Sequence, residues 1–172
     1  MKELVTKLRF TAPCLGKIKI NRLAHGKPQH FYLLPRNPVT KKVMFHRQWW
    51  LAILKKAADI LCRHQSEVHN IRFVLDVEGE PSPIPQRFYK LHINSKRYSK
   101  HEAFFPGSEI AVTCIIPDAI PEEDFLKLMQ YAGRYYGISP AFPGDYGFFE
   151  VVSITPTTGE RSEYAEKESS SN

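Results

Sequence analysis

Arg47-Gln48-Trp49-Trp50-Leu51-Ala52-Ile53-Leu54-Lys55-Lys56-Ala57-Ala58-Asp59-Ile60-Leu61-Cys62-Arg63, followed shortly by Ile71-Arg72-Phe73-Val74-Leu75-Asp76-Val77, is the stretch that decides the fold. In the first segment Trp50, Ile53, Leu54, Ala57, Ile60 and Leu61 recur at helical spacing and make one apolar face. Lys55, Lys56, Asp59 and Arg63 fall away from it. In the second, Ile71, Phe73, Leu75 and Val77 alternate with Arg72, Val74, Asp76 and Glu78, the period of a strand. A helix therefore leads into a strand.

Working outward, Glu3 to Ala12 alternates, with Leu4, Leu8, Phe10 and Ala12 set against Val5, Lys7, Arg9 and Thr11. This predicts a half-buried strand with a basic outer face, ended by Pro13 and Gly16. On the other side, Ile110, Val112, Cys114 and Ile116 mark a third strand. Pro121-Glu122-Glu123-Asp124 opens a second helix, because proline fits the first turn and acids suit the positive helix end. Phe125, Leu128, Met129, Ala132 and Tyr136 form its core face, and Gly137 is a plausible stop. Gly147 to Ile154 is the last strand.

The order is strand, helix, strand, strand, helix, strand, which defines an α+β, ferredoxin-like (βαββαβ) core. Two long insertions decorate a single domain over 1–154, one at 17–46 and one at 79–108. The first reads as extended and turn-rich, with a hairpin tip at Pro35-Arg36-Asn37-Pro38. The second shows neither helical nor strand periodicity around its cations. Residues 155–172 read as a disordered acidic tail.

Composition narrows the function. No stretch approaches the roughly 18 apolar residues of a membrane span, and the start lacks a signal-peptide core. Cys14, Cys62 and Cys114 are isolated, which predicts buried reduced thiols and a cytoplasmic location. The net charge of +6 hides an asymmetry. Residues 1–100 hold 20 Lys/Arg against 6 Asp/Glu, a balance of +14; residues 101–172 hold 4 against 12, a balance of −8. A polyanion partner for the first half is the expectation.

The two insertions concentrate that charge. The first carries Lys17, Lys19, Arg22, Lys27, Arg36, Lys41 and Lys42 around His25, His30, Phe31 and Tyr32. The second interleaves Arg87, Lys90, Lys96, Arg97 and Lys100 with Phe88, Tyr89, His92, Tyr98 and His101. Cations neutralise phosphates and aromatic faces stack on unpaired bases, so this pattern suits a single strand rather than a duplex groove. Neither helix is basic enough to be a recognition helix. The outward positions of the third strand, Ala111, Thr113 and Ile115, offer no aromatics for the sheet-face mode of an RNA-recognition motif.

Metal and cofactor chemistry find no support. There is no HExxH and no Cys/His set with finger spacing, and no Walker lysine follows the glycines at 133, 137, 144 and 147. No cofactor and no metal are expected. His25, His30 and His101 lie in basic loops and keep a small metal-independent ribonuclease open as a reading.

Two segments carry a family resemblance. Gly144-Asp145-Tyr146-Gly147-Phe148-Phe149-Glu150-Val151, reached from a helix through a glycine-containing loop, resembles the C-terminal end of RAMP-superfamily proteins, the ferredoxin-like RNA binders of CRISPR systems. Met44 to Ala58 resembles that superfamily's entry to its first helix, with His46-Arg47-Gln48 in place of the usual Pro-Gly-Ser. The resemblance implies a minimal or virus-encoded relative that binds single-stranded RNA or DNA, RNA preferred, without catalysis, within a ribonucleoprotein or CRISPR complex. On this reading Lys17, Lys19, Arg22, Lys41, Lys42, Arg47, Arg87, Lys90, Arg97 and Lys100 hold phosphates, and Phe31, Tyr89 and Tyr98 offer stacking faces. The alternative is an interaction module that mimics a subunit of a CRISPR or other defence complex and inhibits it.

Overall fold

The computed structural model describes residues 1–24, 27–81, 89–94, 97–141 and 144–157; within 22–29 and 89–99 it describes the backbone alone. Its strands are β1 (Lys2–Phe10), β2 (Cys14–Leu15), β3 (Ile18–Ala24), β4 (Lys27–Leu33), β5 (Arg72–Phe73), β6 (Tyr89–Asn94), β7 (Arg97–His101), β8 (Ala103–Phe104), β9 (Glu109–Ile116) and β10 (Phe149–Pro156). The helices are α1 (Arg47–Leu61) and α2 (Glu122–Tyr135).

The main sheet runs β10-β1-β9-β5, all antiparallel. The first and last long strands lie side by side, and the strand after α1 sits at the far edge. That interleaving is the ferredoxin-like arrangement the sequence predicts. Both helices cover one face. Leu4, Leu8 and Phe10 from β1 and Ile110, Val112, Cys114 and Ile116 from β9 point into the layer between. Trp50 on α1 is fully buried, stacks on Phe73 at 5.1 Å and meets Phe149 edge-on at 6.1 Å. α2 lies close over β10 because residue 133 is glycine: a Cβ there would come within 2.4 Å of the Phe149 ring and carbonyl.

The helix ends follow from local chemistry. Glu122, Glu123 and Asp124 occupy the first turn of α2 behind Pro121. Gly137, at φ +65°, donates its N–H to the Ala132 carbonyl and closes the helix. α1 ends without glycine. Cys62 takes the left-handed conformation and bonds back to Ala58 and Asp59. Cys62 is exposed, against the expectation of three buried thiols; Cys14 and Cys114 are buried. Burial pushes the Cys114 thiol up to about 12 and raises Cys14 as well.

The strand expected from Ile71 pairs with β9 at Arg72 and Phe73, with Val74 N–H still reaching the Thr113 carbonyl, and meets β9 again at Glu78, which exchanges both backbone bonds with Ala111. In between, the backbone turns to the 43–45 segment: Phe45 N–H bonds to Leu75 O and Val77 N–H to Val43 O. The expected tip at 35–38 closes only a small loop, with Met44 N–H on Pro35 O and Asn37 N–H on Lys42 O.

The larger difference concerns the insertions. They are not irregular decorations. β3 and β4 form a long hairpin from the first, β6 and β7 a second hairpin from the other, and parallel β4–β7 pairing joins them into one sheet, β3-β4-β7-β6. A short β2–β8 ladder lies beside it.

The last strand also runs further than Ile154. Thr155 and Pro156 pair with Val5 and Leu4, and Thr157 N–H bonds to Glu3 O. Residues 158–172, the rest of the expected tail, lie outside the described residues. A chain ending at Thr157 is expected to melt like the parent. One ending at Ile154 loses two or three backbone bonds, roughly 2 kcal/mol, and should melt roughly 4–8 °C lower. Equal melting of the two by calorimetry would remove the terminal pairing from the fold.

Candidate nucleic-acid interface

The open face of the main sheet was expected to be basic along β1. It is charge-compensated instead. Arg9 donates to Glu109 Oε1 from Nε and Nη2 at 3.1 and 2.7 Å, and to Glu150 Oε1 from Nη1 at 3.0 Å. Lys7 Nζ lies 2.6 Å from Glu109 Oε2. Lys7 and then Arg9 hold the Glu109 carboxyl below its ordinary range. Cations already facing carboxylates are poorly placed to collect phosphates. Phe149 of the last strand is buried in the core and offers no ring to the open face.

The second sheet is different. Lys17 and Lys19 are exposed at its β3 edge, and Lys19 pairs in register with Tyr32. Arg22 pairs with Gln29 one strand in. Across the parallel junction Phe31 is opposite Lys100. Lys100 pairs with Lys90, His92 with Tyr98, Asn94 with Arg97, and Tyr89 with His101. The backbone thus brings Lys19, Arg22, Phe31, Tyr89, Lys90, Arg97, Tyr98 and Lys100 onto four neighbouring strands spaced about 4.8 Å apart. The side chains of Arg22, Tyr89, Lys90, Arg97 and Tyr98, and the whole of Arg87, lie outside the described residues.

Phe31 does not offer a stacking face. It is 8% exposed, and the Lys100 ammonium sits 5.5 Å above its ring. Its position on an inner strand of the four buries it.

Three predicted cations lie elsewhere with partners of their own. Arg47 donates from Nε to Ile71 O at 3.1 Å and from Nη2 to His69 O at 2.5 Å, fastening α1 to the turn before β5. Lys41, at φ +63°, donates to Pro38 O at 2.7 Å. Lys42 pairs with Glu78. These contacts stiffen the 37–42 loop, together with Asn37 and Thr40, which each donate to Asp76 at 2.7 Å.

The joint between the sheets uses residues that the site reading passed over. Glu102 is 2% exposed; its Oε2 accepts Leu34 N–H at 2.9 Å and its Oε1 accepts Arg36 Nη2 at 2.6 Å. His101 stacks on Tyr32 with ring centroids 4.8 Å apart and bonds through Nδ1 to Gly16 O at 2.7 Å. Burial lowers its pKa and so favours the neutral ring, and the stack and hydrogen bond hold it as structure. That placement removes His101 from the set that a ribonuclease would draw on. His30 is exposed and bonded to Asn21 at 2.7 Å, and His25 lies outside the described residues. Glu102 is the first acid after Glu80, and that isolation in a long basic run was the signal for the joint.

Among the described residues, no group of three His, Cys, Asp or Glu side chains is placed to hold a metal ion, and no helix is long and apolar enough to cross a membrane.

The architecture is that of an α+β protein with a ferredoxin-like core and a second sheet bearing cations from two distant insertions. No protein-family model matches the chain, and no curated protein matches it. Among the solved structures that share its fold are two chains of CRISPR complexes. One is a chain of the type III-B Cmr-beta complex, determined by cryo-EM bound to cognate target RNA. It has a TM-score of 0.57 and 12% identity, over 90% of this chain and 60% of that one. The other is a chain of a type IV-B CRISPR complex, with a TM-score of 0.50 and 5% identity, over 92% of this chain and 91% of that one. The chain therefore spans 60% of the length of the Cmr-beta chain it matches. At these identities the likeness is one of fold.

Proposed function

We propose that this protein is a non-catalytic, RAMP-like subunit that binds single-stranded nucleic acid, RNA preferred, along the β3-β4-β7-β6 sheet, and that it acts within a ribonucleoprotein of the CRISPR kind. The observation that carries the reading is the joining of the two insertions. Two basic, aromatic-rich segments far apart in sequence pair into one sheet, with Phe31 opposite Lys100. Cations on three of those strands, Lys19 and Arg22 on β3, Lys90 on β6 and Arg97 and Lys100 on β7, then lie a few strand spacings apart, where a single strand could collect several of them. The fold likeness to chains of two CRISPR complexes, one of them bound to target RNA, supports the same reading. The inhibitor that mimics such a subunit would use the same surface, and it predicts binding to an assembled complex rather than to free RNA.

Salt provides the direct test. Each phosphate neutralised on a single strand releases counterions, so about five to eight contacts predict a slope of log K against log salt between roughly −3 and −6. Filter binding of labelled single-stranded RNA, single-stranded DNA and duplex over a salt series measures it. A flat response would sink the phosphate-binding reading. Intact RNA after incubation in EDTA is expected, and cleavage there would replace it with the ribonuclease.

A further inference from the structure

The outer side of the helical layer carries a groove of about 410 Å³, lined by Leu61 and Arg63 at the end of α1 and by Lys127, Tyr131, Arg134 and Tyr135 along α2. It is built from cations and tyrosines. Arg63 donates to Asp124 at 2.6 Å and Lys127 does so at 3.4 Å, so one carboxylate stands against two cations. Asp124 also contacts His64 at 2.9 Å. The Arg134 guanidinium lies 5.5 Å from the Tyr135 ring and has no carboxylate partner among the described residues. Tyr131 and Tyr135 are 4.5 Å apart, and Tyr135 is 51% exposed. With Tyr131 and Arg134 already against its ring, Tyr135 suits a protein contact better than the stacking of a base. Tyrosine and arginine are the residues that anchor such contacts.

We infer that this groove docks the chain's own acidic C-terminal segment, residues 158–172, with Glu160 against Lys127 and Arg63 and Glu163 against Arg134. Charge comes first. The segment holds Glu160, Glu163, Glu166 and Glu168 against Arg161 and Lys167, and Tyr164 stands among them. The point of departure comes second. Thr157 is tied to Glu3 at the end of the sheet where α2 begins, since Lys2 pairs with Ile116 and its ammonium lies 4.0 Å from Glu122. From there Glu160 is about 10 Å along an extended chain. Lys127 is about 8 Å along the helix from Glu122. Spacing comes third. Lys127 and Arg134 are about 10 Å apart along the α2 axis, and Glu160 and Glu163 are about 10 Å apart when extended. The segment would run beside α2 in the helix direction and meet its cations in step. The inference does not depend on nucleic-acid binding.

The test uses the full chain at low concentration with a zero-length carbodiimide, which joins an amine to a carboxylate only when they touch. An intramolecular Lys127–Glu160 product, located by peptide mass mapping, is the expected result. Its yield should fall at least about fivefold as sodium chloride rises from about 50 to about 500 mM. Arg134→Glu and, separately, Glu163→Lys should each reduce it, and Arg134→Glu combined with Glu163→Arg should restore it. Melting of each variant checks its fold, and the tail variant keeps the test alive if a helix variant fails. Absence of the product overturns the inference. So does a product found only between two copies.

Discussion

Trp50→Ala is expected to cost about 3–5 kcal/mol, a large share of the stability of a domain this size. Trp50 is fully buried, and its indole is the piece against which three elements pack: Phe73 of β5 stacks on it, Phe149 of β10 meets its edge, and Phe45 lies tilted at 6.0 Å. Removing it opens a void between α1 and the sheet that rigid neighbours fill only in part. Trp50→Phe should behave otherwise. Among the described residues the buried Trp50 Nε1 has no hydrogen-bond partner, so the indole carries an unsatisfied donor there. Phenylalanine loses volume but also removes that donor, and the cost should stay under about 1.5 kcal/mol. Urea unfolding of the three proteins gives both values. A cost below about 1 kcal/mol for the alanine variant would mean that α1 does not pack on the sheet through Trp50.

The main sheet and both helices were legible in the sequence because each has one wet face and one buried face. Leu4, Leu8 and Phe10 alternate with Lys7 and Arg9, and Phe125, Leu128, Met129 and Ala132 keep helical spacing, so burial writes itself as periodicity. The strand at 71–77 was legible in kind but not in length. Its alternation continues past Phe73, yet its backbone leaves β9 for the 43–45 segment before meeting β9 again at Glu78, a path set by long-range hydrogen bonding that no local pattern records.

The second sheet was hidden for a related reason. Its parallel β4–β7 junction links residues near 31 to residues near 100, and its strands are rich in cations rather than alternating. Composition marked the candidate residues, and the sheet that brings several of them together left no local pattern. Arg47 shows the converse error. Basic type alone marked it for phosphate, while its guanidinium holds two backbone carbonyls. Phe31 likewise reads as an aromatic among cations until the sheet closes over it.

Replacing Lys17, Lys19, Lys90 and Arg97 together with Thr should weaken single-stranded RNA binding at least about tenfold, which is roughly 1.4 kcal/mol. The four come from both insertions, two at the β3 edge and two from the β6–β7 hairpin. Threonine keeps strand propensity, so the ladder should survive the change. Lys100 is left in place because its ammonium covers the Phe31 ring, and its loss would confuse packing with binding. Lys17 and Lys19 are exposed, and exposed charges contribute little to folding, so the melting temperature should move by less than about 2 °C. The salt slope gives the sharper readout. If each of the four neutralises one phosphate, the slope should become shallower by roughly 0.7 for each, close to 3 in all. Affinity equal to the parent's at unchanged melting temperature would clear this sheet of nucleic acid and give the lead to the subunit-mimicking inhibitor, whose partner is a protein complex.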